Sequence, residues 1–304
     1  MNDLKGAIRG AADRHRPPGD WLDRIHERVR TKRRNRRVLA GVVGIGVPLA
    51  LTVVLVAEFA LPDRTTPGAD RSTAPTMCGT GFEVEPTGWW QGNGSVADAV
   101  SGRNAVLHGD AAFGPGIVGD AFVLDGEGDF VDVPDHPTLN VGSEDFTVSL
   151  WVRFASTQGE QVLVEDWIQT YDRRTMEGWT LTKLKSNVIG FGAATAGGVD
   201  TEPLDLPIDT WIHVAARRRA GSMSVFIDGE LVANRRMTNP GQSADSDASL
   251  KFGHRGSRDD TPGSLDRRGF FLNGDLDEAT IFVGHGLSDE AIRNIFESQS
   301  SCVV

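Results

Sequence analysis

The chain has 304 residues, enough for one large β domain with attachments or for two smaller domains. Hydrophobic residues make up 39% and charged residues 24%, which excludes a chain disordered throughout, a collagen-like repeat and a disulfide scaffold. The net charge of −11 is unevenly held: residues 1–37 carry twelve Lys/Arg against five Asp/Glu, or +7, and the remainder carries −18.

In the basic head (1–37), Leu4 to Val29 reads as two short helical pieces broken at Pro17-Pro18-Gly19, with Asp20 placed to cap the second. Val38 to Ala57 then gives twenty consecutive uncharged residues. At about 1.5 Å per residue such a helix spans roughly 30 Å, the hydrocarbon thickness of a bilayer. Pro48 within it is tolerated in a membrane helix. A cleavable signal peptide would have a shorter apolar region and a small-x-small cleavage site, and the pairs Leu55/Ala57 and Glu58/Ala60 supply a poor one. The expectation is therefore an uncleaved transmembrane helix at 38–57 with the lipid bilayer as its partner.

The run Lys32-Arg33-Arg34-Asn35-Arg36-Arg37 directly before the span sets its orientation. By the positive-inside rule the protein sits in the plasma membrane with a cytoplasmic N-terminus and an extracytoplasmic C-terminal body. No aromatic residues interleave the basic run, so nucleic acid is not an expected partner. The head resembles the cytoplasmic heads of actinobacterial membrane-anchored regulators that accompany sigma factors, which implies a signalling role. The zinc-type motif of that group needs paired Cys, and no Cys precedes Cys78.

Residues 58–77 form a predicted stalk, since Pro62 to Met77 is rich in Pro, Thr and Asp and nearly free of apolar residues. Cys78 and Cys302, the only cysteines, flank the body at 78–304. Outside the cytoplasm a bridge between them is expected, with two free thiols as the alternative.

Within the body a two-residue period recurs. Phe146, Val148, Leu150, Val152 and Phe154 share one face, and Thr147, Ser149 and Arg153 the other. Similar runs fall at 121–124, 130–133, 161–165, 179–184, 188–193, 211–216, 223–227, 230–233, 249–253 and 278–283. Asp228-Gly229 is a two-residue hairpin signal. Near the end, Ser288 can cap a helix, Leu287 can staple onto Ile292, and Ile292, Ile295 and Phe296 form its apolar stripe. Many strands without intervening helices predict an all-β fold, a two-sheet antiparallel sandwich with a short C-terminal helix.

The segments Trp90-Gln-Gly-Asn-Gly, Gly119-Asp-Ala-Phe-Val-Leu-Asp-Gly-Glu-Gly-Asp-Phe-Val-Asp-Val-Pro134 and Phe146-Thr-Val-Ser-Leu-Trp-Val152 occur in that order. Trp211-Ile-His-Val-Ala215, Ser224-Val-Phe-Ile-Asp-Gly229 and Asn273-Gly-Asp-Leu-Asp-Glu-Ala-Thr-Ile281 follow them. Together they resemble the laminin G-like/pentraxin-like jelly-roll family with the concanavalin A-like sandwich. The resemblance implies a non-catalytic module that binds carbohydrate or protein. It also implies a calcium ion held by Asp carboxylates, for which Asp125, Asp129 and Asp277 are the expected ligands; turn shaping by Asp125 and Asp129 and backbone capping by Asp277 is the alternative.

Trp167 and Tyr171, in a polar stretch at 166–178 that reads as a loop, are the expected ligand-stacking residues. The Arg217–Arg219 and Arg235–Arg236 clusters suit an anionic glycan or solvated edges. The enzymatic alternative is a glycoside hydrolase or lyase on the same sandwich. Asp275-Leu276-Asp277-Glu278 is the nearest approach to a paired-carboxylate motif, but it lacks the E-x-D-x-x-E pattern of such enzymes. His213, within a Trp-Ile-His-Val strand, reads as structural.

Overall fold

The computed structural model describes residues 80–170, 175–255 and 270–302. Its strands, in chain order, are β1 (Gly88–Trp90), β2 (Val106–His108), β3 (Ala112–Pro115), β4 (Asp120–Asp125), β5 (Phe130–Val133), β6 (Phe146–Phe154), β7 (Gln161–Thr170) and β8 (Thr175–Lys183). There follow β9 (Ile189–Ala193), β10 (Gly197–Asp200), β11 (Trp211–Arg219), β12 (Ser222–Ile227), β13 (Glu230–Arg236), β14 (Leu250–Phe252) and β15 (Asn273–Val283), and then the helix α1 (Asp289–Ser300). All described pairings are antiparallel.

The strands form two sheets. The first runs β13-β12-β11-β6-β15-β4-β3, with β1 also on β15; the second runs β10-β9-β8-β7-β14-β5-β2. Their inner faces enclose one core that includes Trp90, Phe122, Phe146, Trp179, Phe191 and Phe252. The predicted inward set on β6 lies in this core. Asp228 and Gly229 both take positive φ, as the tight β12–β13 hairpin requires.

Burial on β6 does not alternate, because Thr147, Ser149 and Trp151 on its other face are buried too. The cause is α1. Ser288 Oγ accepts the Ala291 N–H at 3.0 Å, as its position predicts. The helix lays Ile292 and Ile295 against Phe226 and Phe282 on the outer face of the first sheet, where Leu287 joins the same cluster. Trp151 donates its indole N–H to Gln299 Oε1 at 2.7 Å and stacks on Phe296.

Sequence patterning finds eleven of the strands and misses β1, β2, β3 and β10. These have three or four residues each, and β10 opens with two glycines, so a two-residue period has no room to register. In the stretch read as a loop at 166–178, residues 166–170 and 175–178 are instead paired strand on β7 and β8, with Trp167 opposite Gly178. The expectation of solvated charges holds for exposed Arg219 and is corrected for Arg217 and Arg218. Arg217 donates to Leu287 O and Asp289 Oδ1 at 2.7 and 2.6 Å, and buried Arg218 donates to the carbonyls of Gly142, Ser143, Pro240 and Gln242. Arg235 and Arg236 are exposed on β13.

The head, the predicted span Val38–Ala57 and the stalk lie outside the described residues. Among the described residues no helix is long and apolar enough to cross a membrane.

Candidate functional site

The turn between β4 and β5 carries Asp125 and Asp129, and the turn between β2 and β3 carries Asp110. Carboxylate oxygens of the three lie within 4.8 Å of one another, so this triad could hold a metal ion. Asp129 also organises the turns, accepting the Asp110 N–H at 2.7 Å and the Asp125 N–H at 3.1 Å. Burial, opposed by these bonds, pushes its carboxyl up to about 6. Two of the three expected ligands therefore meet, with Asp110 in the place given to Asp277. A Gly-Asp pair after a short apolar run is the one local signal for Asp110, and it is a weak one.

Asp277 lies elsewhere, at a bulge between β15 and β6. Its carboxylate accepts the N–H groups of Ile117, Val118 and Glu278 at 2.8, 3.0 and 2.7 Å. It thus ties the β3–β4 turn to β15, the alternative role considered for it. Burial pushes Asp277 up to about 7 against those three bonds. Glu278 takes φ 52 and turns the other way, under α1, where its Oε2 accepts from Trp89 Nε1 at 2.9 Å and Gln299 Nε2 at 3.2 Å. Burial, then the neighbouring Asp277 charge, pushes Glu278 up to about 8.

The nearby Asp275 binds Arg153 at 2.6 Å. With Asp275 on a guanidinium and Asp277 on the backbone, the segment proposed as a catalytic pair is engaged in holding the fold. His213 is buried on the first sheet, with Nε2 at 2.8 Å from Ser149 Oγ, and burial lowers its pKa to about 3.

With α1 on the first sheet, no helix among the described residues packs on the outer face of the second. Strand register defines it, because directly opposed residues share a face. One row runs Val106, Asp132, Lys251, Glu165, Thr180, Gly192, Gly198 across β2, β5, β14, β7, β8, β9 and β10. Glu165 accepts from Thr180 Oγ1 and from Arg255 Nε, each at 3.2 Å, and Arg255 also reaches Glu160 at 3.1 Å. Lys251 Nζ stands 3.6 Å from Asp132 Oδ1. Partly exposed Trp167 is on the same face, two residues beyond Glu165. Tyr171 lies outside the described residues.

At the β2 edge of this sheet, His108, Phe130, His254 and Phe271 stack in series with centroids 4.2, 4.5 and 4.5 Å apart. Asp166 points the other way, opposite Trp179, and accepts from Ser246 Oγ; burial pushes it up to about 7. Neither the ring stack nor Asp166 was found by sequence reasoning, since each depends on strands far apart in the chain.

Two antiparallel sheets around one core, with a helix on one outer face and a polar, partly aromatic surface on the other, define a lectin-like β-sandwich. The profile of the family described as the concanavalin A-like lectin/glucanases superfamily matches residues 125–292, and the chain belongs to that family.

Solved structures agree on the fold. Domain 4 of AbnA, a GH43 extracellular arabinanase from Geobacillus stearothermophilus in complex with arabinotriose, is 17% identical with a TM-score of 0.52. That match covers 69% of this chain and 98% of the other. The botulinum neurotoxin serotype D binding domain is 17% identical over 70% of this chain, with a TM-score of 0.52. The binding domain of Paraclostridial Mosquitocidal Protein 1 is 16% identical over 66%, with a TM-score of 0.51. This chain spans about half the length of both toxin structures, 51% and 49%. No curated protein matches the chain in sequence.

Proposed function

We propose that the protein is a single-pass membrane protein whose sandwich binds carbohydrate outside the cytoplasm without turning it over. The observation that carries this reading is the outer face of the second sheet, on which no described helix packs and where Trp167 lies diagonal to Thr180 and Lys251, with Gly192 beyond Thr180. The arabinotriose complex of a similarly folded domain supports a sugar as the ligand. A non-catalytic role is supported by carboxylates already engaged: Asp275 by Arg153, Glu165 by Arg255, and Asp277 by three backbone amides.

The anchor rests on twenty uncharged residues behind a basic run, with the N-terminus inside. Calcium at Asp110, Asp125 and Asp129 fits an all-oxygen donor set of hard carboxylates. A Cys78–Cys302 bridge is supported by the absence of a free cysteine among the described residues. It is supported too by Gly81, which lies against Asn294 and Ile295 of α1 and so brings the start of the body beside the helix that leads to Cys302.

The test is a glycan array probed with the full-length protein in detergent micelles, with and without Ca²⁺. Binding to a defined set of saccharides is expected, and a clean negative overturns the reading. Protease shaving of intact cells checks the topology: the sandwich is removed if it is outside and survives if it is not.

A further inference from the structure

The geometry points to a glycine-floored shelf on β8, β9 and β10, walled by Trp167, as the saccharide subsite, selective for neutral or amino-bearing sugars over acidic ones. This rests on the glycan-binding reading above and specifies it.

Thr180 on β8 stands opposite Gly192 on β9, which stands opposite Gly198 on β10. Trp167 stands opposite Gly178 one row away on the same face. Side chains on β7 therefore give way to bare backbone on the next strands, and the surface drops. At Gly192 the space is unfilled, since a Cβ built there meets nothing within 4 Å, whereas one at Gly178 or Gly198 would crowd the backbone of Asp166 or Phe191. From β7 to β10 there are three inter-strand steps, about 14 Å in all. An indole wall beside a flat backbone floor suits a sugar ring, whose C–H face stacks on the aromatic while its hydroxyls reach peptide groups and Thr180.

The charges around the shelf select the sugar. Arg255 is shared by Glu160 and Glu165, so this guanidinium is already matched by two carboxylates. Where the shelf reaches the β10 edge, Asp200 and Glu202 form one wall of a groove of about 420 Å³. Val232, Asn234 and Arg235 stand on its other wall. Among the described residues the carboxylates of Asp132, Glu160, Glu165, Asp200 and Glu202 outnumber the cations Lys251, Arg255 and Arg235 along the path, so an acidic sugar is repelled and a protonated amino sugar is not. Of the arginines that would suit an anionic glycan, Arg217 and Arg218 are buried and bonded to the fold.

The decisive variant is Gly192→Val. The position is open and its backbone does not take positive φ, so a β-branched residue fits the strand and fills the shelf without straining it. Full-length wild type, Gly192→Val and Trp167→Ala in micelles are titrated calorimetrically with arabinotriose, a glucosamine trimer and a galacturonic acid trimer.

Expected is binding of one or both of the first two, at least about tenfold weaker binding of the galacturonate, and about tenfold or greater loss in both variants with no fall in melting temperature. Sugar binding that Gly192→Val leaves intact, or a galacturonate that binds tightest, overturns the shelf while the glycan reading stands. Wild type that binds none of the three, together with a negative array, removes both.

Discussion

Assigning the ligand face depends on α1 being a built part of the sandwich, and Ile292→Ala tests that. Ile292 is fully buried in the cluster with Phe226, Phe282, Leu287 and Ile295. The substitution removes three carbons, about 2.4 kcal/mol at ~0.8 kcal/mol per buried methylene. A cavity term adds to this, but a helix on the outside of a sheet can settle inward and recover part of it, so the total is about 3 kcal/mol, in the lower half of the usual range for such deletions. For a body of this size each kcal/mol shifts the melting temperature by about 2–4 °C, which gives a fall of about 6–12 °C. The control is Arg293→Ala, on the exposed side of the same helix, where the ion pair with Glu230 spans 3.0 Å in solvent. That pair is worth at most about 1 kcal/mol. The assay is thermal and urea unfolding of the full-length protein, followed by the fluorescence of Trp151, whose indole contacts Gln299 and Phe296. An Ile292→Ala loss no larger than that of Arg293→Ala, with Trp151 emission unchanged, would show that α1 is not a load on the fold and would reopen the first sheet as the binding face.

Stability is expected to be higher at pH 5.5 than at pH 8.5. The raised carboxyls of Asp166, Asp277 and Glu278, at about 7, 7 and 8, favour the native state when protonated, and this contribution drains away as pH rises from about 4 to 8. His213 and His254, lowered to about 3 and 4 by burial, contribute in the opposite sense and lose stability as pH falls below about 6.5. Urea midpoints at pH 5.5 and 8.5 check this, and a higher midpoint at 8.5 contradicts it. Millimolar Ca²⁺ should raise the melting temperature of the chelator-treated protein, and Asp125→Asn should abolish the rise; equal melting curves with and without the ion would leave the triad a turn device. Arg218→Met should cost about 2–4 kcal/mol, because four carbonyls in two loops lose their donor at once. A urea midpoint within error of wild type would refute that role.

What the sequence makes legible follows from the range over which each signal acts. Alternation within one strand is local, so β6 is predicted from Phe146 to Phe154 and found there. The cap and staple of α1, at Ser288, Leu287 and Ile292, involve neighbours a turn apart and are also readable. The hairpin at Asp228-Gly229 needs only the backbone freedom of two residues. The polar stretch after Asp166 misleads for a physical reason. On β7 the inward position opposite Trp179 is held by buried Asp166, so the run lacks the apolar alternation that marks a half-buried strand.

The site is a different kind of object, because it is written across strands. Asp110 joins Asp125 and Asp129 only after β2 and β3 place two turns side by side, whereas Asp277 matches them in chemistry and is carried away by the bulge that points it at Ile117 and Val118. In the same way Gly178, Gly192 and Gly198 are three unrelated glycines in the chain, and become one floor only through the registers of β7 to β10. Glycine inside a strand weakens it, since it offers no side chain to pack and loses more backbone freedom on folding. Gly178 is required by the backbone, since it takes φ +92 and a Cβ there would run into the Asp166 carbonyl, but Gly192 is open and free of that strain, and its bare backbone makes physical sense if a ligand touches it. Gly192→Val separates the two terms: a gain in stability with a loss of sugar binding is the signature of a strand kept bare for its ligand.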